Sequence, residues 1–414
     1  MPRMSEKLLF GNTMQDWQER INVARMREER AARARKIMRQ HGISAVLAAN
    51  TDNIRYLTGL KGISAFAPQL RYVLFFVEHD PVVFEHAGFF QQMPDQAPWI
   101  KNWRIARCAM GSIAGPEAAH NANKLFASEI YEEISSRGLT GEKLGVVGVD
   151  NMGLAALENL KLHCVSAGSL LSEARSIKTI DEINCLKMVA SIVDSAWYRI
   201  WENLKPGIRA NQLTKVLTNA LVDGGADNLK CPTWKTGPAT FERGFGSEDR
   251  IIEPGDLVYA PFCHIQYMGY SSCSYRTFIV GRKPNDKEKD WYKILLERID
   301  SIIDAIKPGA TTADAAKYFA PSSKWGYKCE EEVLSVELGH GLGLGDGYDP
   351  PVINRLWSFD HPQVFEPGMV LAVESMEGEH RVGGVRLENM LLVTGDGAEI
   401  IDHFPRDEIL VAPL

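Results

Sequence analysis

Two rhythms of apolar and polar positions alternate along the first part of the chain. Residues 16–41 carry apolar positions at helical spacing among charged ones, and Gly42 suits the C′ position that closes a helix. The pattern predicts one long amphipathic helix there. Short apolar runs at 43–48, 72–77, 81–84 and 144–149 are strand-sized and separated by helix-like stretches. Together they predict an α/β domain. Thr179-Ile180-Asp181-Glu182 is a Thr-x-x-Glu capping box, opening a helix that runs toward Leu204. The boundary falls just before it, giving domains 1–172 and 173–414.

The second part repeats itself. Leu204-Lys205-Pro206-Gly207 recurs as Ile306-Lys307-Pro308-Gly309, each before a predicted helix. Glu253-Pro254-Gly255, followed by an apolar strand over 256–262, recurs as Glu366-Pro367-Gly368 followed by a strand over 369–375. Offsets of 102 and 113 residues are those of a duplicated helix–helix–strand unit. Pseudo-twofold packing of the copies predicts the paired strands side by side, with position 261 equivalent to 374.

Composition narrows the function classes. With 414 residues, 45% hydrophobic and 24% charged, the chain is an ordinary globular protein of two to three domains. A net charge of −7 argues against nucleic acid or anionic lipid as partner. The one basic tract, 25–39, is interleaved with Glu28, Glu29 and alanines and reads as a solvated helix face. Seven cysteines without a CxxC pair, no apolar leader and no membrane-length run predict a cytoplasmic protein with reduced thiols.

Four segments carry candidate chemistry: 255–278, 339–351, 366–378 and 383–393. His340 sits between glycines, Glu374 lies in an apolar strand where a carboxylate needs a partner, and Glu388 is two residues from Arg386, with which it could simply pair. His264 and Cys263 read as structural. In order and spacing the four segments resemble the creatinase/aminopeptidase P superfamily, whose catalytic domain has the pita-bread fold. Asn53-Ile54-Arg55-Tyr56 followed by Gly59 resembles the smaller N-terminal domain of creatinase and prolidase types. The resemblance implies an α/β N-terminal domain plus an α+β pita-bread domain with internal duplication.

Metal-dependent members bind two ions through Asp, Asp, His, Glu and Glu. The resemblance places Pro261 and Cys273 at the Asp positions and His340, Glu374 and Glu388 at the others. Two close cations need carboxylate charge to offset their repulsion, so a dinuclear centre is not expected. No cofactor is the expectation; the alternative is one divalent ion, zinc or iron, on His340, Glu374, Glu388 and Cys273, with Cys273 as an apolar filler the simpler reading. His340, Glu374, Glu388 and Tyr275 are the candidate catalytic residues, and Arg71, Cys273, His264 and Arg386 the candidate substrate-binding ones. Arg71 aligns with an arginine that creatinase sends across its dimer to a substrate carboxylate.

The expected function is hydrolysis of a C–N bond in a small polar or charged non-peptide, by a homodimer. Creatine itself fits poorly: the stretch 237–250 has no histidine, and Tyr275 stands where creatinase has Glu. The loop beginning Gly237-Pro238 resembles that of dimethylsulfoniopropionate lyases, so elimination is an alternative. An Xaa-Pro metallopeptidase and a non-catalytic binding protein are the others. No Gly-x-Ser-x-Gly elbow, Walker loop or His-Glu-x-x-His occurs, and the glycines of 339–347 do not match the dinucleotide fingerprint.

Overall fold

A computed structural model describes residues 20–61, 71–107, 115–230, 233–241, 249–333 and 336–412. The described residues divide into two units, 23–175 and 176–412, the second also taking in residues 20–22. Among the described residues no helix is long and apolar enough to cross a membrane.

The first unit is a six-stranded mixed sheet with helices. Its strands are β1 (Ala45–Ala48), β2 (Tyr72–Phe76), β3 (Val82–Glu85), β4 (Asn102–Ile105), β5 (Lys143–Val147) and β6 (His163–Ser166), in the order β4-β3-β2-β1-β5-β6. β1 runs antiparallel to β2 and parallel to β5. The predicted first helix spans Val23–Gln40, with Gly42 at φ +62° beyond its end; positions 16–19 of that expectation lie outside the described residues. Leu47, Leu74, Phe76, Phe84, Phe126 and Ile130 fill the core.

In the second unit the capping box forms in both directions. Glu182 N donates to Thr179 Oγ1 at 3.2 Å and Thr179 N to Glu182 Oε2 at 2.8 Å, opening the helix Ile180–Asn203. Its strands are β7 (Lys235–Thr236), β8 (Leu257–Pro261), β9 (Gln266–Tyr267), β10 (Tyr270–Ser271), β11 (Tyr275–Val280), β12 (Leu338–Gly341), β13 (Asp349–Ile353), β14 (Val370–Glu379), β15 (Gly383–Val393), β16 (Ala398–Ile400) and β17 (Leu410–Ala412). A nine-stranded sheet runs β13-β12-β14-β15-β11-β8-β7, with β16 on β15 and β17 on β11.

The repeat is visible in backbone detail. Gly207 (φ +84°) and Gly309 (φ +83°) each turn the chain in the left-handed region and donate to Ile252 O and Phe365 O, at 2.8 and 3.0 Å. The copies have diverged: the helices beyond these turns are Ala210–Asp223 and the five-residue Thr312–Ala316. The equivalent strands β8 and β14 are not adjacent as expected. Each pairs with its own partner, β11 or β15, and those partners meet at Tyr275 opposite Glu388.

Strand alternation then sorts the side chains. Leu371 and Val373 of β14 and Val385, Leu387 and Leu391 of β15 pack with Leu295, Ile299 and Ile302 of the helix Asp286–Ala305. Glu374, Arg386 and Glu388, on the intervening positions, project from the opposite face.

Candidate active site

Register brings the acidic residues together. Glu374 lies opposite Glu388 across β14 and β15, and both are fully buried. His340, two residues along β12 from the partner of Glu374, shares their face, and its Nε2 lies 3.7 Å from Glu388 Oε1. Two buried carboxylates side by side repel one another and call for positive charge. Arg386 supplies one: its Nη1 is 3.8 Å from Glu374 Oε2, and its guanidinium sits over the rings of Tyr259 and Tyr275 at 5.5 and 5.8 Å.

From the other copy, a tight hairpin delivers two sulfurs. β9 and β10 are joined by Met268 and Gly269, both at positive φ (51° and 81°), as a two-residue hairpin turn of matching twist requires. Gln266 lies opposite Ser271, while further on Pro261 lies opposite Tyr275. One extra residue therefore sits on the first strand, a bulge holding His264 at φ +60°. On the β8–β11 side of the bulge, the register of Pro261 with Tyr275 sets Cys263 across from Cys273, with Cα atoms 3.9 Å apart and the two joined as a disulfide. Cys263 Sγ is 3.8 Å from Glu388 Oε2. Among the described residues, Cys263, Cys273 and Glu388 are the one group of three whose donor atoms all lie within 4.8 Å of one another with the chemistry to hold a metal ion.

An aromatic stack borders His340. Its ring lies 3.9 Å from that of Tyr348 at 27°, and Tyr348 in turn faces the His264 ring at 6.3 Å and 20°. Burial, then Lys230, holds the His264 imidazole below its usual pKa, while Asp346, 4.0 Å from its Nδ1, works the other way. Gln266 Nε2 donates to Asp346 at 2.9 Å.

Of the expected site residues, His340, Glu374, Glu388, Tyr275, Arg386, Cys273 and His264 all fall within this region of the second unit. Arg71 belongs to the first unit, where Glu85 holds its Nε at 2.7 Å in a buried ion pair. His380 is on the exposed turn between β14 and β15. The stretch 237–250 lies partly outside the described residues. Sequence reasoning missed Cys263, read as structural, and Tyr348. It also expected unpaired thiols, whereas the hairpin joins Cys263 to Cys273; Cys164, Cys185 and Cys329 form no disulfide.

Behind the cluster a second set of buried charges fixes the strands. Arg276 Nη2 donates to Asp402 Oδ2 at 2.8 Å, and its Nη1 to the carbonyls of Glu388 and Tyr275 at 2.6 and 2.9 Å. Asp402 also accepts Met390 N at 2.9 Å. These bonds clamp β15 at Glu388 and at Met390.

Comparison with known proteins matches this chain to two family models. The model of metallopeptidase family M24 covers residues 184–395, and that of the creatinase/prolidase N-terminal domain covers 30–177. An uncharacterized peptidase of Bacillus subtilis, YqhT, is 27% identical over 383 residues, 91% of this chain and 98% of the relative. An Xaa-Pro dipeptidase of Pyrococcus furiosus is 29% identical over 290 residues, 67% of this chain and 78% of that protein. Among solved structures, an Xaa-Pro dipeptidase from Bacillus anthracis has TM-score 0.73 at 24% identity, covering 93% of this chain and 99% of its own. Dipeptidase PepE from Mycobacterium ulcerans has TM-score 0.76 at 21%, covering 95% and 100%. The expected fold, a creatinase-type N-terminal domain followed by a pita-bread domain, holds. The expectation of no metal cofactor does not: the matched model is that of a metallopeptidase family, and the relatives are peptidases of it.

Proposed function

Since this chain belongs to metallopeptidase family M24, and is a hydrolase by that membership, we propose that it is a metal-dependent hydrolase of Xaa-Pro dipeptides. The observation that carries the reading is the register of the paired carboxylates: Glu374 and Glu388 lie side by side with His340 Nε2 3.7 Å from Glu388. The names of the relatives supply the substrate class.

The donor set fits a divalent ion. Glu388 stands at its centre, His340 and Glu374 supply nitrogen and oxygen, and Cys263 and Cys273 offer sulfur when reduced. Such an ion, when bound, polarises the scissile carbonyl and lowers the pKa of a bound water. The chain's own residues do the rest. Arg386, seated over the rings of Tyr259 and Tyr275, offsets the charge of Glu374, and the Tyr348 ring fixes the plane of His340. A second reading, hydrolysis of a C–N bond in a small charged non-peptide, draws on the sulfur pair, which departs from the nitrogen-and-oxygen ligands that the family resemblance implies. The named relatives are peptidases, which lends elimination no support.

The test is hydrolysis of an Xaa-Pro dipeptide by reduced protein reloaded with manganese, cobalt or zinc after chelation. Activity returns with metal and falls at least ~10²-fold in Glu388→Gln, the scale on which a misplaced catalytic group costs rate. Reloaded protein that cleaves the dipeptide no faster than chelated protein would falsify the peptidase reading.

A further inference from the structure

Cys263 has no part in the expected ligand set, and Cys273 only in its single-ion alternative, yet the fold delivers both sulfurs to Glu388. The Met268-Gly269 turn and the β8–β11 register set Cys263 and Cys273 across from one another. Cys263 Sγ ends 3.8 Å from the same carboxylate that His340 Nε2 approaches on its other oxygen. Cys273 is buried and Cys263 is partly so. An ordinary structural crosslink has no reason to sit against a buried acid that itself faces a histidine.

We propose that Cys263 and Cys273, as thiolates, are ligands for a thiophilic divalent ion shared with Glu388 and His340, and that their disulfide is the closed state of this site. The inference rests on the metal-dependent reading above and specifies its ligands. Charge supports it. A disulfide is neutral, and with it the cluster holds the two carboxylates against Arg386. Two thiolates add two negative charges, that of Cys273 at a position where family likeness would put an aspartate, restoring the field that a divalent cation needs. Sulfur, imidazole nitrogen and carboxylate oxygen together are a donor set that zinc and cobalt accept in tetrahedral geometry.

The switching step balances. A dithiol reductant attacks one sulfur as thiolate, the Cys263–Cys273 bond breaks, and a mixed disulfide forms. Its second thiol then closes the reductant's own disulfide. Two electrons and two protons reach the protein, leaving two thiols; binding of the ion releases those two protons to solvent. Oxidation by a disulfide of the same class runs the step backward and expels the ion.

Cobalt reports ligand type without reference to turnover. Full-length protein is prepared both reduced with a dithiol and oxidised with a disulfide reagent. Each form is desalted without air and titrated with cobalt(II). Reduced wild type develops an intense thiolate-to-cobalt charge-transfer band, weakened in Cys263→Ser or Cys273→Ser and missing in the double variant. The oxidised protein shows no such band and binds at least ~10-fold more weakly, since even outer-shell partners are worth that much. In a second measurement on wild type alone, zinc shields these two cysteines from alkylation, read by peptide mass spectrometry, and leaves Cys329 open. Cobalt bound by reduced protein without the sulfur band, or zinc giving no shielding, overturns thiolate ligation while the metal-dependent reading stands. Failure of both redox states to bind any ion overturns both.

Discussion

Removing the guanidinium behind Glu388 should cost more than any exposed ion pair in this protein. Arg276 and Asp402 are essentially inaccessible, at 1% and 0% side-chain exposure, so Arg276→Met leaves a buried carboxylate without its counter-charge. Breaking such a pair from one side costs about 3–5 kcal/mol. For a unit of this size that lowers Tm by roughly 6–20 °C, at 2–4 °C per kcal/mol. Part of the loss reaches the site directly, because Arg276 Nη1 also donates to Glu388 O. Adding Asp402→Asn removes the stranded charge and keeps an acceptor for Met390 N. The double variant should therefore recover ~1–3 kcal/mol, the penalty of an unsatisfied buried group. Calorimetry and urea unfolding of wild type, both single variants and the double variant at pH 7 complete the cycle. If Arg276→Met lies within ~1 kcal/mol of wild type, the scale of an exposed pair, the clamp carries no such energy and the reasoning fails.

Three further outcomes are expected from the geometry. Burial pushes the Asp194 carboxyl up to about 6 from 3.8, despite backbone donors at His403 and Phe404. Its raised folded pKa gives stability that is full below the unfolded value and lost as pH rises through about 6. A gap of that size is worth roughly 3 kcal/mol, so Asp194→Asn should gain on wild type by that order between acid and neutral pH; parallel pH–stability curves would count against it. The His264 imidazole should titrate below its ordinary value by NMR, rise in Lys230→Ala and fall further in Asp346→Asn. Stability linked to it is lost as pH falls, because the unfolded chain takes up the proton first. A Cβ at Gly341 would land on the carbonyls of Asp349 and Pro350, so Gly341→Ala should cost ~1–3 kcal/mol by overpacking; a Tm equal to wild type shows that the strand can yield.

The strands and helices of the first unit were legible because their signals are local. Runs such as 72–77 bury nearly every residue between neighbours and helices, so they read as unbroken apolar stretches. The repeat was equally legible, since Pro-Gly turns fix backbone shape wherever they occur. Its assembly was not. That β11 and β15 meet at the centre, rather than β8 and β14, depends on which hairpin edges pair, and nothing local to either copy specifies this. The Arg276–Asp402 pair spans 126 residues and leaves no pattern at all.

The site divides along the same line, and the sulfur pair shows where. Counting along the motif expects Pro261 and Cys273 to face the metal, and a regular hairpin would honour that count. Cys263, two residues beyond Pro261, shares its face because the side-chain period of a strand is two, and the β8–β11 register carries it opposite Cys273. Cys263 thus passes from structural filler to neighbour of Glu388. The glycine run is the converse case. It matches no phosphate-binding loop, yet a Cβ at Gly339 would strike the Ile353 side chain, and one at Gly341 the β13 backbone. Those glycines exist so that β12 can lie tightly beside β13. The residue they flank, His340, is the one side chain in that crowded stretch aimed at Glu388, and so the feature most legible in the sequence owes its position to packing.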